Sequence, residues 1–76
     1  MMDHPIKQLR KAVGLSQAAF AASVGITEGR ICHIEKGRGS PGGKTLLRIS
    51  EAYRAEMVGL GITAEDLIRG SRSRAA

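Results

Sequence analysis

Cys32 and His33 stand side by side, and His4 is the one other histidine. Adjacent residues on a helix point in different directions, so Cys32 and His33 cannot grip one ion together. No further Cys or His lies at the spacing of a zinc site. No serine–histidine–acid set can be argued for nucleophilic catalysis. Gly42-Gly43-Lys44-Thr45 matches the end of a phosphate-binding P-loop. That motif needs a glycine where Arg38 stands, and Gly37 and Gly39 each miss by one. It also needs a strand before it and a parallel sheet behind it. A chain of 76 residues has room for neither. No catalytic residue, metal or cofactor is expected.

The cations remain. The formal net charge is +5, which suits a polyanionic partner. Between Asp3 and Glu28 there is no acid, while Lys7, Arg10 and Lys11 are basic. From Arg30 to Arg48 the bases are Arg30, Lys36, Arg38, Lys44 and Arg48, against Glu35 alone. The acids Glu51, Glu56, Glu65 and Asp66 come later. A basic front and a more acidic back are the division a nucleic-acid binder with a separate partner surface requires. The single cysteine excludes an internal disulfide, and no signal peptide or membrane span is visible. A cytoplasmic location is expected.

The elements that must position these cations are short helices. Ser16 can cap a helix opening at Gln17, and Gly25 can end it in a left-handed conformation. Thr27 can cap a second helix, which Gly37 closes. The linker Gly25-Ile26-Thr27 is too short for the two to run antiparallel, so they should cross steeply. That is a helix-turn-helix, whose second helix can enter the DNA major groove. Ile31 and Ile34 form its buried stripe. A first helix starts at Asp3 or His4, tolerates Pro5 in its opening turn, buries Ile6, Leu9 and Val13, and ends at Gly14. Phe20 anchors the second helix among Ala18, Ala21 and Ala22. The stretch 37–43 is a glycine-rich loop.

The order and spacing of these pieces resemble the lambda-repressor-like family of DNA-binding domains, the Cro/C1 or XRE type. The resemblance runs through Ile6-Lys7-Gln8-Leu9-Arg10, Leu15-Ser16-Gln17, Val24-Gly25-Ile26-Thr27 and Ile34-Glu35-Lys36-Gly37. It resumes at Pro41 and Thr45-Leu46-Leu47-Arg48-Ile49, and again at Gly61-Ile62-Thr63. It implies base contacts by Glu28, Gly29, Arg30 and His33. Arg30 can bind guanine through two hydrogen bonds, Glu28 can accept from cytosine, and Gly29 lets the backbone approach closely. It also implies phosphate contacts by Gln17 and Thr27, with Lys36, Arg38 and Lys44 bordering the following loop. Arg10 and Glu35 are expected to form a partly buried structural ion pair.

The expected fold is all-α, a lambda-repressor-like domain of five helices over residues 1–70, with the helix-turn-helix at about 16–37. Residues 71–76 are expected to be a mobile tail. The chain departs from the family at Arg54–Leu60, about two helical turns of extra sequence. Either the fourth helix, starting near Lys44, continues through them, or Gly59 breaks it and they loop; an extended fourth helix is expected. A last helix, capped by Thr63, packs Leu67 and Ile68. The expected dimer surface is Tyr53, Met57, Val58, Leu60, Leu67 and Ile68. The resemblance implies a dimeric, nucleoid-associated regulator of bacterial or phage origin, acting on double-stranded DNA at an inverted repeat. The alternative is an antitoxin or a restriction–modification controller, whose partner is a toxin or RNA polymerase.

Overall fold

The computed structural model describes residues 3–71. These form six helices and no strand: α1 (Pro5–Ala12), α2 (Gln17–Ser23), α3 (Glu28–Glu35), α4 (Gly43–Ala52), α5 (Arg54–Leu60) and α6 (Ala64–Arg69). Local chemistry explains most of the boundaries. The His4 ring caps α1, its Nδ1 accepting the Ile6 N–H at 3.1 Å, and Pro5 fills the first position, where no N–H is needed. Ser16 Oγ accepts the Ala19 N–H at 3.1 Å, and Thr27 Oγ1 accepts the Arg30 N–H at 3.2 Å. Gly25 turns the chain between α2 and α3 at φ +75°, a region costly for any residue with a Cβ.

The six helices replace the five expected, and the fourth is not extended. α4 stops at Ala52, and Tyr53 (φ −126°, ψ 28°) separates it from α5. The cause is tertiary. The Tyr53 ring stacks on Phe20 of α2 with centroids 5.1 Å apart, and its hydroxyl lies 2.5 Å from Ser23 Oγ. These contacts fix Tyr53 where a continuous helix would carry it elsewhere. Gly59 does not break α5, which runs on to a left-handed Gly61 at φ +70°.

α2 packs on α3, and α1 lies against α3, α5 and α6. The centre is filled by Ile6, Leu9, Phe20, Ile31, Ile34, Ile49 and Leu67, all essentially inaccessible to solvent. Each such side chain contributes roughly 1.5–3 kcal/mol of burial free energy. Ala21 is buried as expected of α2, whereas Ala18 and Ala22 are exposed. On α4, Ile49 points inward and Leu47 outward. Thr63 and Asp66 cap α6 reciprocally: Thr63 N–H donates to Asp66 Oδ2 at 2.9 Å, and Asp66 N–H donates to Thr63 Oγ1 at 3.2 Å. Of the expected tail, Ser71 is exposed and residues 72–76 lie outside the described residues.

Candidate nucleic-acid interface

The orientation of α3 follows from its two isoleucines. Ile31 and Ile34 are buried, which turns Glu28, Gly29, Arg30 and His33 to solvent. A polar cluster fixes the helix at its C-terminal end. Arg10 Nε donates to Glu35 Oε2 at 2.7 Å, and Arg10 Nη2 to Glu35 Oε1 at 3.2 Å. Arg10 Nη1 also donates to the Leu15 carbonyl at 3.0 Å. Gln17 Nε2 adds a bond to Glu35 Oε1 at 3.1 Å. The cluster joins α1, the turn after it, the start of α2 and the end of α3. The Glu35 side chain is only 4% exposed. The hydrogen bond to Glu35 raises the Arg10 pKa above its ordinary value, against the opposing effect of burial, so Arg10 remains a cation.

This pairing shapes the surface potential. Glu35 is neutralised by Arg10, leaving Glu28 as the one exposed acid of α3. Arg30, Lys36, Arg38, Lys44 and Arg48 are exposed, and none has a carboxylate within ion-pairing distance among the described residues. Lys7 and Lys11, by contrast, share Asp3 at 3.9 and 3.5 Å. An open cleft of about 410 Å³ lies between α3 and the loop after it, lined by Thr27, Arg30, His33, Ile34, Arg38, Gly39 and Ser40. Arg30 and His33 line this cleft beside Arg38, while Glu28 and Gly29 are exposed on α3 outside its lining.

Gln17 is partly committed within the protein, since its amide nitrogen binds Glu35. Its position at the start of α2 still leaves its amide oxygen and a second N–H for other contacts. The Thr27 side-chain oxygen is the cap of α3. Arg48 has a structural place at the turn between α2 and α3. Its guanidinium covers Gly25, in space that a Cβ at this position would claim. Sequence alone marks Arg48 as one more base, because its placement over the turn depends on how α4 packs.

The helix-turn-helix family pattern matches residues 6–60, most of the chain. The chain belongs to the Cro/C1-type, XRE-type helix-turn-helix family. It is thus a member of a family of DNA-binding transcription regulators. No curated protein and no solved structure matches the chain significantly. The matched span closes with α5, so the helix-turn-helix pattern includes the inserted residues and leaves α6 outside. α2 and α3 both lie within the span that this helix-turn-helix pattern matches. No helix among the described residues is long and apolar enough to cross a membrane.

The residues expected at a dimer surface differ in their burial within the protomer. Met57 and Leu67 lie in the monomer core, at 6% and 0% exposure, because α5 and α6 turn these side chains toward α1 and α4. Tyr53 is engaged by Phe20 and Ser23, and Leu60 is half-buried against the core. Val58 and Ile68 are exposed, at 76% and 52%. The acids Glu51, Glu56 and Glu65 are exposed on the same three C-terminal helices.

Proposed function

We propose that this protein is a sequence-specific regulator of transcription that acts as a repressor, binding an inverted-repeat operator as a dimer. The supporting observation is the exposed face of α3. Glu28, Gly29, Arg30 and His33 are all exposed on α3, with Lys36, Arg38 and Lys44 exposed after it, while the Glu35 charge is cancelled internally. Arg30 reads guanine, Glu28 accepts from cytosine N4, and Gly29 allows close approach of the backbone. His33 makes a further polar contact in the groove. Gln17 and Thr27 bind phosphates at the starts of α2 and α3, and the cations bordering the loop neutralise others.

Dimerisation supplies the specificity that one protomer lacks. The domain measures 35 × 25 × 23 Å and carries one reading helix. Two reading helices about 34 Å apart, one turn of DNA, require a second copy. Val58 and Ile68, with the exposed edges of Tyr53 and Leu60, form the apolar part of that contact. Occupation of a promoter by such a dimer blocks transcription. The reading places the protein in the cytoplasm, on the nucleoid.

Mobility-shift titration of the Arg30→Ala/Lys36→Ala variant tests the DNA face. Affinity should fall at least about tenfold, the scale of one lost bidentate base contact. The dependence of log K on log salt should flatten by about 0.9 for each phosphate contact removed. Unchanged binding would mean that DNA lies elsewhere. Sedimentation showing only monomer at high micromolar concentration, with and without DNA, would remove the dimer.

A further inference from the structure

We propose that the cleft between α3 and the loop at 37–42 is a binding site for a phosphomonoester, and that its occupant and DNA exclude each other. The cleft has the donor set for such a ligand. Arg30, Arg38 and His33 line it, side chains that carry two guanidinium forks and a ring nitrogen. Thr27 and Ser40 supply hydroxyls. Thr27 Oγ1 already accepts the Arg30 backbone N–H, so its hydroxyl hydrogen is left to donate. No carboxylate lines the cleft, and neither arginine has an internal ion partner among the described residues.

The chemistry selects phosphate over carboxylate. Two forks and two hydroxyls offer more donors than the two oxygens of a carboxylate can use, and they match the three terminal oxygens of a phosphomonoester. The Arg30 guanidinium reaches the loop side, where its Nη2 lies 3.8 Å from the Cβ position at Gly42, an ordinary contact distance. About 410 Å³ is far more than an inorganic phosphate fills. The organic part of the ligand packs there. Arg30 and His33 serve both partners, so one occupant displaces the other. This exclusion rests on the reading of α3 as the DNA face; the site itself does not.

The test is an NMR titration of the full ¹⁵N-labelled chain at fixed ionic strength. Adenosine 5′-monophosphate is the probe, with inorganic phosphate and adenosine as separate arms. Saturable shifts should cluster at residues 27–40, with the monophosphate binding more tightly than phosphate and adenosine giving none. Arg38→Gln should weaken binding about tenfold or more, the scale of a lost hydrogen bond to a charged group. Ser40→Ala, the milder change, should weaken it severalfold. Shifts that never saturate, or that spread over Lys7, Lys11 and Arg54, would overturn the site. Equal affinity for inorganic phosphate would overturn its assignment to a monoester. In competition, a cleft more than about 80% occupied should lower the apparent DNA affinity at least about fivefold. Unchanged DNA affinity at saturation would overturn the exclusion. Saturable binding by a protein that takes up no duplex would keep the site and remove the DNA reading of α3 instead.

Discussion

Arg10→Met should destabilise the domain far more than loss of an ordinary surface charge. The substitution leaves Glu35 nearly buried, at 4% side-chain exposure, with one remaining hydrogen bond from Gln17. It also removes the donor that satisfies the Leu15 carbonyl. Stranding one charge of a buried pair costs about 3–5 kcal/mol. The surviving Gln17 bond and the 13% exposure of Arg10 place the expectation near the lower end, about 3 kcal/mol. A domain of this size has a total stability of about 4–11 kcal/mol. The variant should therefore lose between a quarter and most of it. At about 4–8 °C per kcal/mol, the fall in Tm is roughly 12–24 °C. Urea unfolding followed by circular dichroism measures the same loss as a fall in midpoint of roughly 1–3 M. The double variant Arg10→Met/Glu35→Met removes both charges and should recover most of the stability. A cost below about 1 kcal/mol for Arg10→Met, the level of an exposed pair, would refute the buried role assigned to this bridge.

Gly29→Ala should separate folding from binding. Nothing lies within 4 Å of a Cβ at Gly29, so alanine should raise stability by about 0.5–1 kcal/mol while DNA affinity falls as the methyl meets the groove. Gly59→Ala, equally unobstructed on α5, should raise thermal stability similarly and leave DNA affinity unchanged. Gly25→Ala should cost about 1–2 kcal/mol in denaturant unfolding, since φ is +75° and the Arg48 guanidinium must move aside. Burial lowers the His4 pKa below its ordinary 6.5, with Glu35 partly opposing, so the folded state favours the neutral ring. Stability from this group is complete above pH 6.5 and is lost as pH falls through the lower folded value. Protonation also removes the Nδ1 acceptor that caps α1. His4→Asn, which keeps a cap without the titration, should lose this pH dependence in thermal melts between about pH 7 and 5.

The helix starts were legible because capping is local chemistry. Ser16, Thr27 and Thr63 each accept the backbone N–H three residues on, as their types and positions predict. The left-handed glycines at 14, 25 and 37 were legible for the same reason. The Arg10–Glu35 bridge spans 25 residues, and only the family resemblance brought the two together. The break at Tyr53 carries no glycine, proline or capping residue. It comes from a ring stacked on Phe20 in another helix, which no local pattern encodes. The outward turn of Ile68, expected to pack beside Leu67, was hidden likewise, because short helices have little periodicity from which to fix a face. Thr63-x-x-Asp66 did carry a usable signal, the reciprocal cap, which would have given Asp66 a structural role beyond complementing the helix dipole.

The most direct test of sequence-specific DNA binding is a fluorescence-anisotropy titration of the purified protein at two salt concentrations. One duplex is the DNA immediately upstream of its own gene, and the other is a scrambled control. Tight binding to the upstream duplex alone, weakening steeply with salt, is expected of a regulator that controls its own promoter. Equal and weak binding to both duplexes would contradict it and reduce the exposed cations around α3 to a general attraction for polyanions.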